Sequence, residues 1–545
     1  MGESHDVIVI GAGVAGALLT YRLRRKGHRV LLIESGPVID RLEAVKAYAT
    51  ADEKTPGSPY RKLWNAAMRP DDAATDPGRT YYRQSNDPFK STYQRAVGGS
   101  TWHWLGNVPR LVPSDFKMAT LYGVGVDWPL SYMDLEKWYA EAEIELGVAG
   151  RHEQWDGLLG AYRSTPFPMS EIWPSYSDLL VEEALRGKSF DGVRLEVLRT
   201  PQARNSRPYD GRPACAGNSS CVPVCPIQAK YDASLHVQKA MDHGADLLAN
   251  TTVVRLIPDS ESGVITGAEY VGKDKTRSFA SARLVVLSAH AIESARLLLH
   301  SGIANSSDQV GRNLMDHLNR FAWIRARTPM FPFRGPPTTS GIDAFRDGDF
   351  RRTRAAFRLS LGNDGAGRAV KLESTVMELA EKGLLGRAFR DALRGKTETL
   401  FRISCSAEVL PRPSNRIAQA SVKDENGIPF PLMHFRPDDY SRAGYLYAET
   451  VMKRIFDSIG YEDAAKFEAD ESTFSGAGHI MGTCRMGSDP RTSVVDANCR
   501  SHDHPNLFVV GSSVFPTSGT ANPTLTVAAL ALRLASFLDR ALAST

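Results

Sequence analysis

The chain has 545 residues, of which 42% are hydrophobic and 23% are charged, and its formal net charge is +4. This composition predicts a globular protein with a large core and two domains, and it excludes a disordered or fibrous chain. Because the small positive charge comes without a sustained basic run, we expect no nucleic acid partner and no direct binding to an acidic membrane surface.

The first part of the chain has the pattern of a strand, a glycine-rich turn, a helix and a second strand. The stretch "DVIVIGAGVAGALLTYRLRRKGHRVLLIESG" predicts a buried strand, a glycine turn, an amphipathic helix and a second strand that ends at Glu34. In this pattern Gly11 makes the tight turn, Gly13 lets a pyrophosphate approach the helix N-terminus, and Gly16 lets helix and strand pack. Glu34 stands where an acid accepts ribose hydroxyls, so the unit predicts NAD or FAD rather than NADP.

Neither end of the chain has the pattern of an export signal or a membrane anchor. "MGESHDVIVIGAG" lacks a basic segment before its apolar run and a small-residue cleavage site after it. The apolar stretch "LTVAALALRLASFL" near the C-terminus is too short to span a bilayer and contains Arg533. We therefore expect a chain that is soluble by itself and meets a membrane only through a partner.

Two more strand and helix pairs follow, at 282–302 and at the C-terminus. They predict a cofactor domain that is discontinuous in sequence, made of residues 1–118, 200–318 and 475–545. Residues 119–199 and 319–474 are richer in Pro, Trp and charge and have no βαβ rhythm, so they predict a substrate-binding domain. The expected fold class is α/β, a Rossmann-like cofactor domain with an α+β substrate domain.

Three of the six cysteines crowd into one loop, "ACAGNSSCVPVCPIQAKYD", inside residues 205–232. Cys215, Cys221 and Cys225 could form one disulfide with a spare thiol, or pack as core thiols, but the loop is rich in Gly, Asn, Ser and Pro. Zinc normally takes four ligands, and no His or further Cys lies nearby in sequence. The spacing, which ends in C-x3-C-P, favours an iron-sulfur cluster over these alternatives.

The motifs along the chain resemble those of the glucose-methanol-choline (GMC) family of flavin oxidoreductases. They are the N-terminal glycine fingerprint, "RAVGGSTWHWLGNVPR", "VVLSAHAIESARLLLHSGI", "VGRNLMDH", "HIMGTCRMG" and "GTANPTLTVAALALR", in the family's order from end to end. The resemblance implies FAD as the cofactor. It also implies cofactor contacts from the glycine turn and Glu34, and from Gly98, Gly99, Ser100, His103, Val254, Gly511, Asn522, Pro523 and Thr524.

Within the family, "TPQARNSRPYDGRPACAGNSSCVPVCPIQAKY" is similar to the large subunits of bacterial membrane-linked sugar dehydrogenases. That likeness implies a 3Fe-4S cluster on Cys215, Cys221 and Cys225, a heme c cytochrome subunit and a small signal-bearing companion. It also implies a position on the periplasmic side of the inner membrane, reached by export together with the companion; without such a partner the chain would be cytoplasmic. By contrast, "HIMGTCRMG" and "TANPTLT" look like the wider family, so the resemblance does not identify the sugar or the carbon that is oxidised.

The resemblance assigns the two catalytic residues. His479 opens "HIMGTCRMG" and matches the family's catalytic histidine, which takes a hydroxyl proton while hydride leaves for the flavin. Asn522 matches the second active-site position, although Asn before Pro is also the expected cap of a helix. A helix that starts there would point its positive end at the flavin ring. His103 stands four residues after Gly99, where some family members bond the flavin covalently.

The sequence as a whole predicts an FAD-dependent sugar dehydrogenase subunit that passes single electrons through an iron-sulfur cluster to a cytochrome or quinone-linked acceptor. The alternatives are a self-contained GMC alcohol or sugar oxidase, a gluconate, polyol or glycoside 3-dehydrogenase, and a non-catalytic subunit that retains FAD.

Overall fold

A computed structural model describes residues 5–51, 83–84, 89, 91, 93–364, 372–462, 466–468 and 476–543. The strands are β1 (His5–Ile10), β2 (Val30–Ile33), β3 (Arg83–Gln84), β4 (Ser189–Phe190), β5 (Val193–Arg194), β6 (Leu198–Arg199), β7 (Asp246–Leu248), β8 (Thr252–Pro258), β9 (Ile265–Val271), β10 (Arg277–Leu287), β11 (Leu318–Arg325), β12 (Ser340–Ile342), β13 (Phe357–Gly362), β14 (Leu400–Ala407), β15 (Arg416–Lys423), β16 (Pro429–His434), β17 (Lys466–Glu468) and β18 (Leu507–Val509). The α-helices span Val14–Arg24, Arg41–Thr50, Met118–Tyr122, Tyr132–Leu146, His152–Trp155, Tyr176–Leu185, Ser234–Asp242, Ala291–Ser301, Leu372–Glu381, Gly386–Glu398, Asp439–Ile459 and Thr524–Ala543. The predicted domain boundary at 474 and 475 lies outside the described residues.

The larger sheet has the order β7-β2-β1-β10-β9-β8, with β18 also paired to β10. The strands β7, β2, β1, β10 and β18 are joined by parallel pairings. The long β10 pairs with β1 and β18 through its second half and with β9, in antiparallel fashion, through its first half. The predicted Rossmann-like α/β fold is therefore confirmed, and an antiparallel ribbon of β8, β9 and β10 extends the parallel sheet.

Helices pack on this sheet and so remove their apolar residues from water. The helix Val14–Arg24 buries its apolar side, including Leu18, Leu19 and Leu23. The C-terminal helix Thr524–Ala543 packs between that helix and Tyr132–Leu146, and most of its residues are buried. A helix that is apolar on nearly all sides fits a position inside the core. In the described part of the chain no helix is both long enough and apolar enough to cross a bilayer.

A second sheet of six strands has the order β17-β11-β14-β13-β12-β6 and is antiparallel at every pairing. It is built from segments that carry no βαβ rhythm in the sequence. Smaller sheets join β15, β16 and β3, and join β4 to β5. The assignment of the two large sheets to a cofactor domain and a substrate domain stays a prediction.

Buried arginines tie the second sheet to the start of the C-terminal helix. Arg351 donates to Asp115 Oδ1 over 2.9 Å and to Glu408 Oε2 over 2.6 Å, with all three side chains buried. Arg346 donates through Nε to Thr520 Oγ1 over 3.1 Å. A buried guanidinium is stable only when carboxylates or carbonyls satisfy it. Thr520 also donates to Asp115 Oδ2 over 3.1 Å, so both arginines help to hold the segment just before Asn522.

Candidate active site and cysteine loop

The carboxyl ends of the parallel strands meet at one edge, where such sheets bind ligands. A Cβ on Gly11, which has φ of +102°, would come within 2.7 Å of Ser288 O at the end of β10. A Cβ on Gly16 would lie 2.0 Å from Gly11 O. A Cβ on Gly13 would meet no atom within 4 Å. The two packing glycines therefore close the turn, whereas Gly13 leaves an open cradle at the first helix N-terminus, which fits a pyrophosphate.

The predicted flavin-side loop lies against this turn. The amide of Gly98 donates to Ala12 O over 2.9 Å, and a Cβ on Gly99 would approach Gly13 Cα to 3.3 Å. The hydroxyl of Ser100 accepts from the amide of Gln94 over 3.1 Å. Because Gly98 and Gly99 both have positive φ, glycine is the residue that this backbone favours.

Glu34 stands at the end of β2, as the sequence predicts. Its carboxylate is buried and accepts from the amides of Ala12 and Gly36 over 2.9 and 2.8 Å. Burial raises the pKa of Glu34, although the two amides act in the opposite direction. The acid is thus held beside the glycine turn, where the dinucleotide fingerprint places the ribose.

His103 lies between two anchored tryptophans. Trp102 donates through Nε1 to Val97 O, and Trp104 donates through Nε1 to Tyr231 O, each over 2.8 Å. His103 itself is half-buried at the end of the short 3-10 helix Gly99–Trp102. The anchored neighbours hold the backbone of His103 in one place next to the flavin-side loop.

Two further predicted contacts have different surroundings. Gly511 follows β18 with φ of +128°, and a Cβ there would meet open space. Val254 lies on β8, where its side chain packs with Val271 and Ile428. This places the Val254 side chain in a packing group of its own, and its role in cofactor binding stays a prediction.

The structure brings His479 and Asn522 together. The Asn522 amide donates through Nδ2 to His479 Nε2 over 3.0 Å. The C-terminal helix begins at Thr524, one residue later than the Asn-Pro pair predicts, with the first helical bond from Val527 N to Pro523 O. Asn522 therefore lies just before the N-terminal end of that helix, and its side-chain amide points at His479.

Two residues of this site, His317 and Asp316, were not predicted from the sequence, although both belong to the quoted motif "VGRNLMDH". His317 Nδ1 lies 2.9 Å from His479 Nδ1, and His317 Nε2 lies 3.0 Å from Gly519 O. The Asp316 carboxylate accepts from the amide of His479 over 2.9 Å and from Ser91 Oγ over 2.5 Å. Burial raises the pKa of Asp316 to about 6. Their place in a family motif is the only feature of the sequence that could have indicated a role in the site, because His479 is more than 160 residues away.

Burial also decides the charge of the two histidines. It lowers the pKa of His317 to about 4 and lowers the pKa of His479 well below its ordinary value. Both rings are therefore neutral near pH 7. A neutral imidazole beside an amide donor can accept a proton from a hydroxyl that replaces the bond between the two groups.

The three loop cysteines accept hydrogen bonds from residues near them, Cys215 Sγ from the amide of Gly217 over 3.4 Å. Cys221 Sγ accepts from Arg204 Nη2 over 3.2 Å, and Cys225 Sγ accepts from the amide of Lys230 over 3.5 Å. Cys221 and Cys225 are buried, while Cys215 is half-buried. All six cysteines are free thiols, so no disulfide forms in this loop. Among the residues that the structure describes, no three His, Cys, Asp or Glu side chains form a group that could hold a metal ion.

The cations around this loop have unused hydrogen-bonding capacity. Arg204 and Arg212 are buried, and the Nε and Nη1 atoms of each have no hydrogen-bond partner in the structure. Lys230 is buried as well and donates through Nζ to the carbonyls of Trp102, Trp104 and Cys221 over 2.7, 2.7 and 2.9 Å. Burial lowers the pKa of Lys230 to about 8. Three buried cations with four unpaired donor atoms fit an anionic group that accepts hydrogen bonds.

Comparison with known proteins identifies the family of this chain. Two GMC oxidoreductase models match residues 195–319 and 411–531, and an NAD(P)-binding Rossmann-like model matches residues 9–39. The chain is 36% identical to the fructose dehydrogenase large subunit of Gluconobacter japonicus, over 98% of this chain and 97% of that protein. It is 29% identical to the 2-methyl-1,2-propanediol dehydrogenase of Mycolicibacterium austroafricanum, over 99% and 96% of the two chains. The solved structure of pyridoxine 4-oxidase from Mesorbium loti shares the fold, with a TM-score of 0.65, 20% identity and coverage of 98% and 99%. The chain therefore belongs to the GMC oxidoreductase family.

Proposed function

We propose that this chain is the catalytic subunit of an FAD-dependent sugar dehydrogenase. The observation that carries the proposal is the pair of His479 Nε2 and Asn522 Nδ2, which lie 3.0 Å apart. Family membership implies FAD, and the 36% identity to a fructose dehydrogenase large subunit favours a sugar as substrate.

The proposed chemistry needs one proton and one hydride to leave the same alcohol. A substrate hydroxyl that replaces this direct hydrogen bond would accept a hydrogen bond from Asn522 Nδ2 and give its proton to His479 Nε2. FAD, when bound, supplies the hydride acceptor. In this proposal Gly13 leaves room for the pyrophosphate, Glu34 takes the ribose, and the loop from Gly98 to His103 borders the flavin.

A screen under anaerobic conditions tests the substrate proposal. Purified protein is mixed with fructose, glucose, sorbitol, gluconate and a glycoside, and the loss of flavin absorbance is followed. We expect at least one sugar to bleach the flavin. Peroxide formation in air at the rate of bleaching would favour the oxidase alternative. No bleaching by any of these compounds would favour the subunit that holds FAD without catalysis.

We further propose that Cys215, Cys221 and Cys225 hold a 3Fe-4S cluster, which supplies one-electron transfer. A cluster spreads its thiolates over several irons, so its ligands need not converge on one ion. The support is the set of unpaired guanidinium atoms of Arg204, which donates to Cys221 Sγ, and of Arg212, which lies in the cysteine loop itself. Lys230 binds carbonyls of both the flavin-side loop and the cysteine loop, which gives the two redox sites one shared contact.

The partners follow from the same proposal. A flavin that discharges in single electrons needs an acceptor such as a heme c cytochrome subunit. We also propose the small signal-bearing companion and the periplasmic side of the inner membrane as the working location. Purification of the native complex by a tag on this chain, followed by heme staining of the subunits, tests the cytochrome partner.

The Asn522→Ser variant separates a role in chemistry from a role in helix capping. Serine retains a capping oxygen but is too short to keep the 3.0 Å bond to His479. We expect the melting temperature to change little while the rate of flavin reduction falls about 10-fold or more. If activity instead follows stability across several Asn522 substitutions, the residue acts only as a cap.

The flavin is expected to be bonded covalently to His103. Acid-precipitated protein should then stay yellow, because the bond survives unfolding. The His103→Ala variant should release its colour into the supernatant under the same treatment. Free FAD in the supernatant of the unmodified protein would contradict the assignment.

A further inference from the structure

We infer that His317 is a positioning residue that fixes the tautomer of His479, so that the His479 Nε2 atom carries the lone pair that can accept a proton. The inference rests on the proposed function of His479 as the base. It comes from a chain of three hydrogen bonds that joins Gly519, His317, His479 and Asn522.

At each end of this series of hydrogen bonds, the chemistry of the terminal group fixes which atom is the donor. The Gly519 carbonyl can only accept, so His317 Nε2 carries the hydrogen that it receives over 3.0 Å. The Asn522 amide nitrogen can only donate, so His479 Nε2 must offer a lone pair to it over 3.0 Å. In a neutral imidazole one nitrogen donates and the other accepts.

The direction of the hydrogen bond between the two histidines is then determined. His317 already carries its hydrogen on Nε2, so its Nδ1 accepts. His479 has its lone pair on Nε2, so its Nδ1 carries the hydrogen and donates to His317 over 2.9 Å. The rings stand at 88° to each other, with their centres 5.0 Å apart. Both ends therefore demand the same tautomer of His479, and His317 enforces it from the side away from Asn522.

Protonation of His317 would reverse this arrangement. Its Nδ1 would then become a donor, His479 Nδ1 would have to accept, and His479 Nε2 would carry a hydrogen against the Asn522 donor. The buried position of His317, which is 1% exposed, favours the neutral form. The structure thus supplies His479 with an orienting neighbour whose acceptor atom is an imidazole nitrogen rather than a carboxylate.

Neutron diffraction on deuterium-exchanged crystals of the holoenzyme tests the inference without any substrate. We expect deuterium on His317 Nε2 and on His479 Nδ1, and none on His479 Nε2. Deuterium on His479 Nε2 would overturn the inference. This result is independent of which sugar the enzyme oxidises, so it stands even if the sugar screen fails.

A matched pair of variants tests the consequence for the reaction, with bleaching by any accepted alcohol as the readout. In His317→Asn the amide oxygen takes the place of Nδ1 and can still accept from His479. In His317→Gln the amide reaches the place of Nε2 and leaves His479 Nδ1 without its acceptor.

With FAD content equal in both proteins, we expect His317→Gln to reduce its flavin about 10-fold more slowly than His317→Asn at saturating substrate. We expect the concentration for half-maximal rate to change little, because His317 faces His479 and not the substrate. Equal rates in the two variants would contradict the inference, whether both are slow or both are fast.

Discussion

Replacement of His479 with alanine is expected to slow flavin reduction by about 10²-fold or more, with FAD still bound. His479 is proposed to take the hydroxyl proton, and alanine leaves no group at that position. The cofactor contacts belong to other segments, namely the glycine turn, Glu34 and the loop at Gly98. Stopped-flow bleaching with a sugar under anaerobic conditions measures the rate, and the flavin absorbance of the purified variant measures FAD content.

The matched control is His300→Ala, on the half-buried last turn of the helix Ala291–Ser301. Both variants lose an imidazole, but only His479 contacts Asn522 and His317. We expect the His300→Ala protein to reduce its flavin at nearly the rate of the unmodified protein. A His479→Ala protein with the unmodified rate would remove His479 from the mechanism.

The pH dependence follows from the charge state of the same histidine. Burial holds the pKa of His479 well below its ordinary value, so its lone pair remains available as the pH falls from 8 to about 6.5, the ordinary histidine pKa. The rate of flavin reduction should therefore stay flat over this range and decline only at lower pH. A decline centred near 6.5 in the unmodified enzyme would indicate a base with an ordinary pKa.

Local patterns predicted the Rossmann-like part of the molecule well. The run "DVIVIG" is apolar because β1 is buried between neighbouring strands, and the glycines at 11 and 16 are required by contacts of 2.7 and 2.0 Å. Both features depend on residues that are close in sequence or on a strand covered on both faces. The second sheet left no such pattern, because its strand β14 pairs with β11 and β13 from distant segments.

The site shows the same division. His479 and Asn522 could be predicted from motifs, but no pattern in the sequence indicates that His317 is 2.9 Å from His479 across 162 residues. The buried cations near the cysteines are a similar case. Arg204 and Lys230 lie in the same motif as the thiols, yet in the fold they donate to carbonyls of a distant segment, Arg204 to Leu105 and Lys230 to Trp102 and Trp104.

Replacement of any one of Cys215, Cys221 and Cys225 with serine is expected to remove the proposed cluster and to abolish electron transfer to a cytochrome. A serine hydroxyl is a much poorer iron ligand than a thiolate at neutral pH, and a three-iron cluster has no spare ligand here. Iron analysis and electron paramagnetic resonance of the reduced and oxidised proteins measure the loss. Cys405→Ala, at a buried thiol on β14, is the matched control and should keep its iron.

Flavin reduction should survive in the same three variants, and this separates the two halves of the proposed function. His479 and Asn522 come from motifs other than the cysteine loop, so sugar should still bleach the flavin, and a small dye that reaches the flavin directly should still be reduced. Reduction of the native cytochrome should fall to background, because the one-electron route is missing. Two results would contradict the proposed one-electron transfer through the cluster. One is zinc or no metal in the unmodified protein, and the other is serine variants that reduce the cytochrome at the original rate. With either result, the three buried cations near the thiols would have a structural role only, and the oxidase alternative would be favoured over the dehydrogenase.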